Sequence, residues 1–449
     1  MKLMLKIFTL IIVNALILLP CAWATPPIET LTLANNARAY LIQTKGLPII
    51  DIEVTIDAGE RYDPTNKKGL AALTAGLLSL GAQSGKRTLS EAAIADEIAD
   101  LGASLSVAAG GERASLRIRS LSRADLRQRV VELGATILAH PSFEPNIVAR
   151  EKQRLIAALL EAETKPEFIL ERRFKKAVYR DYPLGSFATP QSIEKIQVSD
   201  LKQFHQLFYR SDRMTVNLVG DLSPLEATQI AQALILQLSP TGSAIPALPL
   251  LTESPVEPAT ARETQIAFDA QQTHIALGMT AVPRNDPDYF PLLVGNYVLG
   301  GGGFVSRLMN EVREKRGLAY SVSSYFIPGK SNGIFQAGLQ TRNDQAALAL
   351  EVVRETIARF ISEGPSPADL VAAKANLSNG FPLRIDSNRK LLDNLSSITW
   401  NNLPLDTLET WTKQLELVTV EQVRQAFQKH LAMNRMQTVV VGASVTPKK

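Results

Sequence analysis

Arg313 and Tyr320, seven positions apart in "VREKRGLAYSV" (312–322), are the residues whose types and spacing in this 449-residue chain best suit chemistry. A tyrosine phenol keeps its proton in neutral solution and donates it, while a guanidinium is permanently charged and offers a fork of donors. Such a pair can supply hydrogen bonds to the oxygens of a ligand. The same residues also have a purely structural reading. Val305, Leu308, Met309 and Val312 recur at helical spacing as one apolar face, and Arg313 follows near the helix end, where cations are favoured. Tyr320 then stands in a strand-like run with Val322 and Tyr325.

A comparison within the chain bears on the choice. "ADLGASLSV" (99–107) resembles "EKRGLAYSV" (314–322), with Gly102 opposite Gly317, which sets Ile98 and Leu105 opposite Arg313 and Tyr320. Aliphatic residues serve that junction in the first copy, so the polar pair in the second is additional to packing.

Other chemistry is scarce. Lys2 and Lys6 precede an apolar run from Ile7 to Leu19, and Ala22-Trp23-Ala24 closes it, the pattern of a secretory signal peptide over residues 1–24. The run is short for a membrane span and is broken by Asn14 and Pro20, so the chain is expected to be exported, to a periplasm, without a stable membrane anchor. Pro20 is a poor neighbour for lipidation of Cys21. Cleavage after Ala24 removes that single cysteine and lowers the formal charge from +4 to +2, leaving no thiol for catalysis, disulfides or metal binding. With so small a charge and no basic cluster interleaved with aromatics, nucleic acid is not an expected partner. His140, His205, His274 and His430 lie without companions at metal-ligand spacing and read as structural. No G-x-S-x-G or Ser-Lys pattern stands out. Gly300 to Gly303 lack the Lys-Ser/Thr of a nucleotide loop, and Gly301, Gly302 and Gly303 read as a loop before a helix.

The elements that must position Arg313 and Tyr320 come in two sets. Residues 198–220 lie without a gap on 420–442: Val198 meets Val420, Arg213-Met214 meets Arg435-Met436, and Val219-Gly220 meets Val441-Gly442, all 222 positions apart. One long-period duplication means two related domains. Residues 239–261 hold five prolines and no helical or strand period, and read as a linker between a domain at 25–238 and another at 262–449. Ile50, Ile52, Val54 and Ile56 alternate with polar residues, as does "RASLRIRSL" (113–121), the pattern of half-buried antiparallel strands; Arg113, Arg117 and Arg119 read as a solvated strand edge. Helical patterns at 344–362 and 403–430 complete the second half. The fold class is α+β, two homologous domains, each an antiparallel sheet covered by helices.

The order of these pieces resembles the pitrilysin/insulinase metallopeptidase family in its short bacterial form. The resemblance runs from "IDIEVTIDAGERYDP" (50–64) and "GLAALTAGLLSLG" (69–81) through "REKQRLIAALLEAETKPE" (150–167), "YPLGSFATPQSIEKI" (182–196) and "VNLVGDLS" (216–223) to "LGGGGFVSRLMNEVREKRGLAYSV" (299–322). In that family "GLA" is followed by H-x-x-E-H, two histidines for zinc and a glutamate that polarises the attacking water. Here Ala72, Leu73, Thr74, Ala75 and Gly76 occupy those positions, and Ala157 and Ala158 stand where a further glutamate ligand falls. The resemblance thus implies a zinc-free member. It further implies that an R-x6-Y pair, here Arg313 and Tyr320, reaches a homologous partner's zinc, Tyr donating to the oxyanion, where loss of such a donor costs about 3 kcal/mol, and Arg gripping peptide carbonyls, and it implies a substrate-contacting role for Gly301, Gly302 and Gly303. The leading expectation is the zinc-free subunit of an exported heterodimeric peptidase acting on unfolded peptides, with zinc only in the H-x-x-E-H-bearing partner. A non-hydrolytic peptide-binding or scaffolding protein is the alternative, one with no need of the R-x6-Y pair.

Overall fold

The computed structural model describes residues 25–33, 37–85 and 87–442, so the expected signal peptide and Cys21 lie outside the described residues. Among the described residues there are thirteen strands: β1 Glu29–Thr32, β2 Arg38–Gln43, β3 Ile49–Ile56, β4 Gly81–Ser84, β5 Arg87–Ser90, β6 Ser104–Ala109, β7 Ala114–Leu121, β8 Met214–Gly220, β9 Glu263–Ala267, β10 Gln272–Thr280, β11 Ala319–Ile327, β12 Ile334–Arg342 and β13 Gln437–Gly442. They form a six-stranded sheet in the order β1-β2-β8-β3-β7-β6, a five-stranded sheet in the order β11-β12-β10-β13-β9, and the hairpin β4-β5. Both large sheets are antiparallel except for one parallel pair each, β2 with β8 and β9 with β13.

The two halves repeat element by element. The helix Val198–Phe208 recurs as Val420–His430, Pro145–Ala162 as Pro367–Gly380, and Ala124–Ala139 as Ala346–Glu363, each start displaced by 222 residues. Polar details recur as well. Lys152 Nζ donates to the carbonyls of Glu194 and Ile196 at 2.8 and 2.7 Å, and Lys374 Nζ to those of Glu416 and Val418 at 2.6 and 3.0 Å. The backbone N–H of Gln197 bonds the Asp200 carboxylate at 2.8 Å, and that of Thr419 bonds Gln422 Oε1 at 2.9 Å, the side chains three residues on closing both helix starts. Thr419 also explains why the expected helix 403–430 is two, Thr407–Leu417 and Val420–His430: its side chain accepts from Gln422 N–H and begins a new helix.

Each half lends the other a helix. Pro166–Tyr179, from the first half, packs on β10 and β13, with fully buried Phe174 among Ala276, Ile334, Val439 and Val441. Asn388–Trp400, from the second half, packs on β3 and β8. That crossing corrects the expectation of a half-buried β3. Asp51, Glu53 and Thr55 are buried like Ile52 and Val54 between them, because Asn388–Trp400 covers the polar face. Thr399 Oγ1 donates to Asn217 Oδ1 at 3.0 Å and Ser396 Oγ to Glu53 Oε1 at 2.8 Å, so the buried polar groups find partners on the incoming helix. The arginines of 113–121 are likewise not a solvated edge: β7 is interior, with β6 outside it. Arg119 grips Asp51 through two bonds of 2.9 and 3.0 Å, and Arg117 Nη2 lies 2.7 Å from Glu53 and 2.8 Å from Asp393. Arg113 sits over the Trp400 ring at 5.3 Å.

Candidate functional site

Arg313 and Tyr320 meet at the free edge of the second sheet. Residues 309–314 wind as a widened helical turn in which Lys315 N–H bonds the carbonyl of Asn310, five residues back, at 3.0 Å. A second widened turn, 297–301, packs against β11. Insertions of this kind in helices concentrate at functional sites. Gly317, at φ 60°, then turns the chain into β11, as Gly102 at φ 56° turns it into β6 in the first half.

The two copies diverge at the next residues. β6 pairs regularly with β7, Leu105 opposite Ile118, and Leu105 is half-buried. In β11 the register shifts between Ala319 and Val322, so Tyr320 and Ser321 bulge from the ladder and Tyr320 is 80% exposed. A bulge re-aims a side chain, and here it turns the phenol outward from the sheet edge.

Arg313 lies between two aromatic rings, its guanidinium carbon 4.9 Å from the Tyr320 centroid and 4.7 Å from that of Phe304. Its Nε is 3.6 Å from Glu314 Oε1, and its Nη1 is buried without a hydrogen-bond partner. The two rings hold the guanidinium in place by cation–π contact. Sequence reasoning missed Phe304, which follows the glycines directly and is 66% exposed. It also placed Val305 in the buried helix face with Leu308, Met309 and Val312; Val305 is 76% exposed and the other three are buried. The break comes at Ser306, whose hydroxyl bonds the Gly303 carbonyl at 2.7 Å and ends a tight turn over 303–305. The glycines permit close packing there: a Cβ on Gly300 would collide with Ser324, and one on Gly302 with Tyr297.

The helix Leu70–Leu77 carries the positions at which the family holds zinc. Ala72 and Gly76 fall one turn apart toward the surface while Ala75 is buried. Thr74 turns its hydroxyl back to the Leu70 carbonyl at 2.8 Å, and a Cβ on Gly76 would meet nothing within 4 Å. The room for a ligand side chain is there and the donor atoms are not, so these residues do not fit a zinc ion. Ala157 and Ala158 lie exposed on the helix Pro145–Ala162, which packs on this one. Asp63 closes the helix start, accepting from Gly69 and Ala71 N–H at 2.8 Å each; burial pushes its carboxyl up to about 7 against the pull of those two amides.

Among the described residues one carboxylate–histidine group gathers, Asp286, Asp288 and His430. Asp288 is already held by Lys429 Nζ at 2.7 Å and His430 Nε2 at 2.8 Å, which makes it an ion-pair cluster tying the helix Val420–His430 to the loop before Tyr289. His205 is half-buried, its Nε2 2.7 Å from the Leu138 carbonyl and its ring stacked on Tyr209 at 4.9 Å; desolvation of the ring holds it at about 4.

Between the helix Pro166–Tyr179 and the second sheet lies a cleft of about 880 Å³, with Tyr320 and Ser321 on its rim. Nothing local in the sequence marks it, because its walls come from positions 60 to 340.

Comparison with known proteins follows this geometry. Residues 39–189 match the family described as "Insulinase (Peptidase family M16)" and residues 195–377 the one described as "Peptidase M16 inactive domain". A solved M16 inactive domain from Pseudomonas fluorescens superposes with a TM-score of 0.86 at 33% identity, over 94% of this chain and 99% of that one. The non-peptidase homolog YmxG of Helicobacter pylori is 26% identical over 91% of this chain and 92% of its own length. The periplasmic protease PqqL of Escherichia coli shares the fold, with a TM-score of 0.77 at 17% identity over 94% of this chain and 46% of that one.

Proposed function

The chain belongs to the M16 (insulinase) peptidase family, in its zinc-free form, and from that premise we propose that it is the non-catalytic-metal subunit of an exported heterodimeric peptidase. In this reading a homologous H-x-x-E-H-bearing partner supplies zinc, and this chain supplies Arg313 and Tyr320 across the interface. Its substrates are unfolded peptides enclosed between the two subunits. The division into domains at 25–238 and 262–449 about the linker 239–261, and export to a periplasm, belong to the same reading. No helix among the described residues is long and apolar enough to cross a membrane.

The observation that carries the reading is the state of the pair itself. Tyr320 is turned outward by a bulge that the matching strand lacks, and beside it Arg313 is held between two rings with Nη1 unpaired. A residue serving only its own fold needs neither. With the phenol pointing at a developing oxyanion and the guanidinium on a neighbouring carbonyl, the two donors stabilise charge that appears only as the peptide bond is attacked. The exposed backbone of Gly301 and Gly303, next to Phe304, lies open to the same peptide.

The H. pylori relative's description as a non-peptidase favours the second reading, a peptide-binding protein without a hydrolytic partner. Co-expression separates the two. With an H-x-x-E-H homologue from the same genome, the subunit reading expects a stable heterodimer that hydrolyses unstructured peptides, while either chain alone is inactive and this one retains no stoichiometric zinc after dialysis. Failure to associate with any such homologue at micromolar concentration would leave the peptide-binding reading.

A further inference from the structure

The duplication supplies a control for the cleft over the second sheet. Val54 pairs with Val216 in the first sheet and Leu277 with Thr438 in the second, and positions 216 and 438 are 222 apart, so β3 matches β10 and, through Leu116 and Ala337, β7 matches β12. On this correspondence the positions of Asp51, Glu53, Arg117 and Arg119 are taken in the second half by His274, Ala276, Gly338 and Gln340. The first half fills this face of its sheet with ion pairs between strands, one of which extends to Asp393 on the crossing helix. The second half has removed the charges; Ala276 is covered by Phe174 of its own crossing helix, and the cleft opens at His274, Gly338 and Gln340.

What lines the cleft is directional. Gln272, Gln336 and Gln340 offer carboxamides, which match the donors and acceptors of a peptide backbone. Glu60, Glu167 and Glu171 face them with one cation, Lys175, which is spent on Glu171 at 2.6 Å. Burial keeps His274 below its ordinary value, and so uncharged in neutral solution. Burial also raises Glu60, with Lys175 and Lys68 offsetting only part of that, as for a carboxylate lacking a close cation. The chain as a whole is formally +4, so this acidity is local. β11 is the outer strand of its sheet and reaches the rim at Tyr320. The volume is that of a site for a few residues.

Resting on the peptide-handling reading above, we propose that this cleft is a binding site for an extended peptide segment and selects one carrying a lysine or arginine side chain, which it places beside Glu60 and Glu167. The backbone of the segment meets the glutamine carboxamides, and its course along the rim brings it past Tyr320.

Fluorescence anisotropy on the purified chain from residue 25 onward tests this with three labelled unstructured peptides, identical but for a central Lys-Lys, Gln-Gln or Glu-Glu. Two part-exposed carboxylates acting together set the expected preference for Lys-Lys over Glu-Glu at roughly tenfold, weakening with added salt. Glu60→Gln with Glu167→Gln brings the three affinities together. Gly338→Arg restores the bulk of the first half and weakens all three; a Cβ there meets only the Ile275 carbonyl, at 3.5 Å, so the strand accepts it. Equal affinities, a lysine preference that survives the double glutamine variant, or binding unchanged by Gly338→Arg in a normally melting protein each overturn the proposal and leave the subunit reading standing. Absence of binding by all three peptides to the folded chain overturns it too, and the subunit reading is then judged on the co-expressed pair alone.

Discussion

Tyr320 and Arg313 were legible as residue types and spacing, yet what sets them apart from Ile98 and Leu105 is geometric: a bulge at 320–321 and a ring on each side of the guanidinium. In an active assembled complex Tyr320→Phe keeps the ring over Arg313 and removes one donor, so kcat is expected to fall by roughly 10² to 10³ with the melting temperature unchanged. Arg313→Ala lowers kcat/KM as well, and Arg313→Lys restores part of it, since an ammonium lacks the planar fork. Turnover within about twofold of wild type for Tyr320→Phe, well inside the loss expected for an oxyanion donor, removes the catalytic role. Leu105→Ala is the internal control and moves stability instead; because Leu105 is half-buried, the cost is about 1 to 2 kcal/mol, below that of a fully buried leucine. His205 gives a pH test of the fold. Its folded value of about 4 lies below the ordinary 6.5, so between those values the unfolded chain takes up a proton that the folded one refuses. Stability is therefore lost as pH falls from about 6.5 towards 4. Differential scanning calorimetry across that window should show the melting temperature falling, and His205→Gln, which keeps a donor for the Leu138 carbonyl, should flatten the fall.

The helices and strands themselves were the most legible part, because an amphipathic period and a duplicated sequence report on elements directly. The 222-residue offset seen between 198–220 and 420–442 holds for four helix starts, at 124, 145, 166 and 198. What the pattern withheld was the environment of each face. Alternation in β3 showed that Asp51, Glu53 and Thr55 share a side, but only the helix Asn388–Trp400, more than 330 residues away, makes that side interior. The widened turns at 297–301 and 309–314 were illegible for a similar reason: a five-residue hydrogen bond leaves no periodic trace over a single turn. The paired lysines offer a test of how far the duplication extends into energetics. Lys152 and Lys374 each hold two carbonyls at the end of a neighbouring helix, so Lys152→Met and Lys374→Met should each destabilise by about 1 to 2 kcal/mol in chemical denaturation. Costs that differ by more than about twofold, beyond the usual context scatter of such bonds, would mean that the two copies no longer share their packing.

On the scale of the whole molecule, the division written in the sequence at the proline-rich stretch 239–261 conceals an exchange of helices. The first sheet is closed by Asn388–Trp400 and the second by Pro166–Tyr179, so each half is completed by chain from the other side of that stretch. A segment of 25–238 made alone would expose Glu53 and Asn217, which are almost wholly buried in the intact chain, and would leave Phe174 without the sheet it packs on. Buried polar groups stripped of partners and an unpacked aromatic both oppose folding. Neither 25–238 nor 262–449 alone is therefore expected to unfold cooperatively, whereas the two expressed together should associate and melt as one. Phe174→Ala extends the test to the intact chain. At zero exposure in a cluster built from both halves, its loss should cost about 3 to 5 kcal/mol, measured as a single transition in denaturant. Were 25–238 to melt sharply by itself, or Phe174→Ala to split unfolding into two transitions with the first sheet unaffected, the halves would be independent domains. The cleft beneath Pro166–Tyr179 would then be a gap between them, free to change shape, and no longer a wall fixed by the fold.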